Sequence, residues 1–227
     1  PATLELVAVA ACLVLCIAIP LGVYAGAYPK RASSKLIMSG SILGISLPSF
    51  WVGMMMIYIF AVVLRLLPAS GRGNTVMVGN VALSIFAPGG IRYVILPAIT
   101  LALTNVATML RLTRSGILEN MRQDYIKFAR AKGVPAKSIL FGHALKNALI
   151  PVVTIFGMDL GNMIAFTTIT ETIFAWPGMG KLLIDAINKS DRPIIVAYLM
   201  AAACMFVVLN FIVDILYTLI DPRIELR

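Results

Sequence analysis

Two stretches of this chain, 6–28 and 36–64, contain no Asp, Glu, Lys or Arg. Coiled as helices at about 1.5 Å per residue, each is longer than the roughly 30 Å hydrocarbon core of a bilayer. In that medium every backbone N–H and C=O must be paired within the protein, and a helix is the form that does this for a single apolar run. The link between them, Pro29-Lys30-Arg31-Ala32-Ser33-Ser34-Lys35, is short and basic. Pro48 removes one N–H from the second run, which predicts a kink near Ser46 to Ser49. The balance of the chain agrees, since 60% hydrophobic residues, 13% charged residues and a mean hydropathy of +0.94 belong to a polytopic membrane protein.

Three further segments complete the pattern at 94–110, 149–170 and 194–220, the first of them ending cleanly at Arg111 and Arg114. The expected fold class is therefore all-α transmembrane, a multi-span helical bundle with five spans in a single domain, 1–227. Segment 65–93, rich in Gly, Pro, Asn and Ser, reads as an external loop whose short apolar patch from Val81 to Ala87 suits a helix lying on the surface. Segment 171–193 reads as a second external loop, with a turn at Pro177-Gly178 and an amphipathic stretch bearing Leu182, Leu183, Ala186 and Ile187. Of the 19 Lys and Arg, 13 fall on the other side: Lys30, Arg31, Lys35, Arg111, Arg114, Arg122, Lys127, Arg130, Lys132, Lys137, Lys146, Arg223 and Arg227. That side is cytoplasmic by the positive-inside rule. Pro1 then lies outside, and with no Met, basic n-region or cleavage site before the first span, an N-terminal truncation and a sixth, upstream span are expected.

Several function classes fall away. The formal charge of +9 would suggest nucleic acid in a soluble chain, but cationic loops that set orientation account for it, and no nucleic-acid partner is expected. Cys12, Cys16 and Cys204 sit inside apolar runs without metal-ligand spacing or a disulfide framework. There is no Gly-rich loop ending in Lys-Ser/Thr, so the chain is not itself an ATPase. His143 is the sole histidine, and neither a catalytic triad nor a metal set is present in the pattern.

The one polar, strongly basic insertion between apolar runs is Asp124 to Pro151, inside a cytoplasmic loop spanning 111–147. Gly133 suits the left-handed position after a helix end, and Pro135 suits the start of the next helix, so two short helices joined by a tight turn are expected. A knob of this kind, tied between two spans, moves only with them, and a protein that grips it converts its own closure into motion of the spans. Ile126, Phe128, Ala129, Ile139, Leu140 and Phe141 are its expected apolar surface. Within the membrane two acids stand out, Asp159 and Asp214, each costing about 2.5 to 3.5 kcal/mol near a helix centre on insertion scales. Asp159 lies among Gly157, Gly161 and Asn162, which makes Asp159 and Asn162 the candidates for a translocation path, while Asp214 reads as structural. Gly22 with Gly26, and Gly40 with Gly44, have the small-xxx-small spacing of packed helices, and Met54 to Met56 read as core or lipid-facing.

The central stretch resembles the coupling loop, known as the EAA loop, of permease subunits in bacterial ATP-binding-cassette importers, with Ala129 and Gly133 in the matching places. Lys127 and Phe128 depart from the general pattern, as does Lys146 where many importers have a proline. The string ARAKG followed by HALKNALIPVVT is similar to the dipeptide, oligopeptide and nickel branch, as are Pro1-Ala2-Thr3-Leu4-Glu5-Leu6, the stretch from Glu171 to Gly180, and Asp221-Pro222-Arg223-Ile224. Glu171, Phe174, Pro177, Gly178 and Gly180, with the terminal Asp-Pro-Arg, resemble the first, B-type permease of that branch. The resemblance implies a six-helix subunit of the bacterial inner membrane, embedded in lipid and paired with a second permease. It further implies one or two ATP-binding subunits carrying ATP and Mg, an extracytoplasmic solute-binding protein, and no cofactor in this chain. The residues it implies for ATPase coupling are Asp124, Tyr125, Ala129, Ala131, Lys132, Gly133, His143 and Asn147, and those for contact with the binding protein are Trp176 and Lys189. Dipeptides, oligopeptides, nickel chelates and glutathione-like compounds are the implied range of cargo. The alternatives are a secondary transporter or channel subunit without an ATPase partner, which often shows an inverted internal repeat not seen here, and a membrane-embedded enzyme, which needs clustered acids or histidines.

Overall fold

Backbone pairing in a medium without water leaves helices as the dominant element, and the computed structural model of the chain is built of them. It describes residues 1–220, with side chains through Val208 and at Phe211 and Ile215; the side chain of Asp214 and the stretch 221–227, with Asp221-Pro222-Arg223-Ile224 and Arg227, lie outside the described residues. In order the elements are α1 (Ala2–Ala27), α2 (Ala32–Ser46), α3 (Ser49–Met56) running on into a π-helical turn (Ile57–Val63), and the hairpin β1 (Val76–Val78) and β2 (Val81–Leu83). Then come α4 (Ile91–Asn120), α5 (Asp124–Ala131), α6 (Ala136–Ser138) with a π-helical turn (Ile139–Ala144), α7 (Leu145–Ile173), α8 (Met179–Asn188) and α9 (Arg192–Ile220). Among the described residues, α1, α4 and the stretch Ala136–Ile173 are long and apolar enough to cross a membrane, and α9 carries an apolar segment from Arg192 to Val208.

The second apolar run, expected to kink, is broken outright: α2 ends at Ser46 and α3 begins at Ser49. Pro48 stands in extended geometry (φ −60°, ψ 133°) ahead of α3, and Leu47 before it is pushed away from helical geometry by the proline ring. Pro97 and Pro151, by contrast, lie inside unbroken α4 and α7. The patch at Val81 forms a strand, not a surface helix, because Val76–Val78 pairs with Val81–Leu83 in antiparallel register across a turn with Gly79 at φ +63°.

The chain forms two compact units, with boundaries inside α1, α4, α7 and α9 and at the break after Ser46. The first comprises 1–13, 47–103 and 159–211 and is packed around Leu6, Val94, Leu96, Met163, Phe174 and Trp176, all buried. The second comprises, among the described residues, 14–46, 104–158 and 212–220. Its α1 and α4 approach through glycines: a Cβ on Gly22 would come within 2.6 Å of the Thr113 Cβ, and one on Gly26 within 2.7 Å of the Ile117 Cβ. Thr113 turns its hydroxyl inward to the Met109 carbonyl at 2.8 Å, so its methyl faces the glycines without an unpaired donor. Gly40, on α2, has no atom within 4 Å of the position its Cβ would take.

Overpacking of a close helix contact costs about 1 to 3 kcal/mol. Gly26→Val is accordingly expected to lower the thermal midpoint of the detergent-purified subunit, whereas Gly40→Ala leaves it unchanged or slightly raised. Equal midpoints for Gly26→Val and the parent would remove the glycine contact as a determinant of the fold.

Candidate functional site

The basic insertion forms the expected knob, and its turn is closed by a full helix-ending motif. Lys132 ends α5, Gly133 takes φ +77°, the Gly133 N–H donates to the Arg130 carbonyl (3.0 Å) and the Val134 N–H to the Ala129 carbonyl (3.1 Å). Those two bonds, with Ala129 and Val134 packed on the same cluster, are the Schellman arrangement that a left-handed glycine permits. Pro135 then starts α6 from extended geometry.

The knob's apolar residues divide into two sets. Ile126 and Ile139 are buried and pack with Val23, Ile117, Ala144 and Ala148, so they fasten the knob to the ends of α1, α4 and α7. Phe128 and Phe141 are more than half exposed, and Tyr125 is also exposed. The Tyr125 hydroxyl donates to Asn120 Oδ1 (2.8 Å) and accepts from Asn147 Nδ2 (3.0 Å), bracing α5 against the end of α4 and the start of α7. Lys132 Nζ lies 4.5 Å from the centre of the Phe128 ring. Asp124, in the first turn of α5, accepts a 2.7 Å bond from Lys127, which holds its carboxyl below the usual carboxylate range in a fully exposed pair. Ala131 and His143 are exposed.

In the first unit the structure assembles a network that the sequence reading left unassembled. The carboxylate of Glu5, one turn into α1, is buried and accepts from Arg72 Nε (3.0 Å) and Nη2, from the Ser84 N–H (2.6 Å) and hydroxyl (2.9 Å), and from the Ile85 N–H (2.8 Å). Arg72 also donates to the Ala82 carbonyl at 2.6 Å and lies 5.8 Å from the Trp176 ring centre. A second buried carboxylate, Glu171, accepts from the Thr3 hydroxyl (2.7 Å) and the Lys181 N–H (3.0 Å), thereby capping the first turn of α8 from a distance. Thr3 in turn accepts from the Met179 N–H at 2.8 Å. A methyl on Gly178 would collide with the Glu171 carboxylate and one on Gly180 with Thr168, which is why this turn carries glycines. The available signal was an acid at the edge of each of two apolar runs, which at that depth requires donors nearby.

This network corrects the expectation for Trp176. Its side chain is wholly buried, with Nε1 donating to the Ala2 carbonyl at 3.0 Å, and it presents no surface to a docked protein. Lys189 is exposed at the end of α8, near the exposed Leu182 and Ile187. Asp159 is half-buried at the middle of α7, and Asn162, three residues on, is exposed. Among the described residues no three His, Cys, Asp or Glu side chains gather as a metal set.

Comparison with known proteins gives a consistent picture. A family model described as "Binding-protein-dependent transport system inner membrane component" matches residues 18–226. The di/tripeptide transport system permease protein DppB of Pseudomonas aeruginosa is 40% identical over 99% of this chain and 70% of its own length. The oligopeptide transport system permease protein AppB of Bacillus subtilis is 41% identical over 99% of this chain and 69% of its own length. The dipeptide transport system permease protein DppB of Escherichia coli K12 is 36% identical over the same share of this chain and 70% of its own. Among solved structures, a chain of the MetNI methionine ABC transporter in an inward-facing form shares the fold, with a TM-score of 0.73 and 15% identity over 97% of this chain and 93% of that one.

The buried ion pair makes its own prediction. Arg72→Ala strands Glu5, which is 2% exposed, and removing one partner of a buried pair costs about 3 to 5 kcal/mol. The double variant Glu5→Gln with Arg72→Met is expected to recover much of that loss. Protease nicking of the 72–85 segment in the purified subunit measures it, and additive effects of the single changes would show that the two side chains do not act as a pair.

Proposed function

This chain belongs to the family of binding-protein-dependent transport system inner membrane components, and from that premise we propose that it is one of two permease subunits of an ATP-driven importer of peptides. The second permease completes the path. One or two ATP-binding subunits, carrying ATP and Mg, grip the knob from the cytoplasm, and an extracytoplasmic binding protein delivers cargo. The names of the relatives, which concern di-, tri- and oligopeptides, support the peptide class. The single observation that carries the coupling role is the knob's division of labour, with Ile126 and Ile139 buried as anchors while Tyr125, Phe128 and Phe141 stay exposed.

In this reading the exposed aromatic side chains fill a groove on the ATPase, and the surrounding residues Asp124, Lys132 and His143 orient the contact. Closure of the ATPase on nucleotide pulls α5, and the Tyr125 bridge passes the displacement to α4 and α7 through Asn120 and Asn147. Gly133 sets the angle between α5 and the segment that follows. Asp159 and Asn162, polar residues three positions apart in mid-α7, line the route. On the external side the exposed face of α8 with Lys189 receives the binding protein, and the buried Glu171 and Trp176 hold that helix in place.

The test is reconstitution of the complex in vesicles, with ATP-dependent uptake of a labelled dipeptide and ATPase activity read with and without loaded binding protein. A Cβ on Gly133 meets nothing within 4 Å, so the cost of Gly133→Val is conformational, about 1 to 2 kcal/mol for a left-handed residue. Stimulated hydrolysis and uptake should fall together in that variant while nucleotide and binding-protein affinity persist, with Gly133→Ala milder. Asp159→Ala and Asn162→Ala should lower uptake at unchanged assembly. Parental uptake in Gly133→Val at equal stoichiometry would remove the turn from the coupling route, and uptake by the parental complex that does not depend on ATP would overturn the importer reading itself.

A further inference from the structure

Among the described residues one buried side-chain donor has no partner, the Nε of Arg114 on α4. Arg114 also lines a cleft of about 470 Å³, together with Met38, Thr108, Arg111, Leu112 and Ser115. Among the described residues this lining holds two arginines and no acidic side chain, and Met38 and Leu112 supply hydrocarbon. Two arginines on one cleft without an acidic neighbour favour an anion with several oxygens, which guanidinium groups hold through charge-assisted hydrogen bonds. The next cleft along α4 adds Arg122 but also Glu119, so it lacks this one-sided charge.

The depth of the cleft selects the anion. The apolar stretch of α4 ends at Leu110, and Arg111 and Arg114 follow at once on the side that the Lys and Arg distribution makes cytoplasmic. Beside Met38, α2 exposes Leu36 (73%), Ile42 (57%) and Leu43 (62%), a face suited to acyl chains. We propose that this cleft holds the phosphate of an anionic phospholipid from the cytoplasmic leaflet, between Arg111 and Arg114, with hydrocarbon against Met38 and Leu112. Planar guanidinium donors match phosphate oxygens, and the surface potential of an anionic leaflet adds attraction for each arginine.

The experiment releases the purified transporter from nanodiscs of phosphatidylcholine mixed with phosphatidylglycerol and reads the retained lipid by native mass spectrometry. Preferential retention of phosphatidylglycerol is expected, falling roughly fivefold for each arginine removed in Arg111→Gln and Arg114→Gln. Arg92→Gln, beyond the other end of the apolar stretch, should retain it fully. If Arg114→Gln fails to assemble, Ser115→Leu decides, because it fills the cleft while keeping both arginines, and retention must fall there too. Unchanged retention in Arg111→Gln and Ser115→Leu overturns the proposal. So does displacement of the signal by an inorganic phosphate adduct with no lipid preference, which would make the site one for free phosphate. Photocrosslinks from position 111 that reach only an acidic segment of another subunit would assign the cleft to protein contact and equally overturn it.

Discussion

A carboxylate withdrawn from water at a membrane edge has to be given donors, and the unit that holds Pro1 is arranged around two such groups. Glu5 draws Arg72, Ser84 and Ile85 to itself, and Glu171 draws Thr3 and the first turn of α8. The demand propagates into the backbone. Gly178 and Gly180 are glycines because the Glu171 carboxylate and Thr168 occupy the space a side chain would need. Trp176 is buried because its ring closes the same network beside Arg72. A buried ion pair comes close to breaking even against apolar residues of its size, so what the network supplies is chiefly position. It settles where the hairpin and α8 stand on their own unit.

The knob in the second unit solves a different problem. A lever transmits displacement only if its own joints do not yield, and here the turn is closed by two backbone hydrogen bonds and a hydrophobic contact. On amphipathic α5 the anchoring Ile126 stands beside the exposed Tyr125 and Phe128, which lets one short element serve both fastening and contact. The Tyr125 bridge adds polar links to two longer helices, so α5 is held on more than one side.

The apolar runs, the turn at Gly133 and the break near Pro48 were legible in the amino-acid order, because each follows from local chemistry. Helix in lipid is forced by backbone pairing, left-handed backbone selects glycine, and proline lacks a donor. The extent of the break, with α2 ending at Ser46 and α3 starting at Ser49, was not legible, since a proline removes a bond without saying how many residues leave the helix. The strand at Val81 was missed because a short apolar patch reads equally as helix or strand until its partner, Val76–Val78, is known. The split of the knob's apolar residues into buried and exposed was hidden as well. Ile126 and Phe128 are neighbours in sequence, and only the packing of Val23 and Ile117 against one of them distinguishes the two.

What the chain's order of residues settled alone was the medium, the helical class and the place of the basic knob between apolar runs, all consequences of composition and short-range geometry. What required the tertiary structure was every pairing across long separations. Thr3 meets Glu171 at 168 residues' distance and Arg72 meets Glu5 at 67, and no periodicity marks either. Trp176 shows the difference most plainly. An aromatic beside a Pro-Gly turn suggests a surface contact, yet its Nε1 reaches the Ala2 carbonyl 174 residues away, and burial there depends on where α1 begins. Burial and hydrogen-bond partners are properties of neighbours in space, and those neighbours are chosen only when the helices pack.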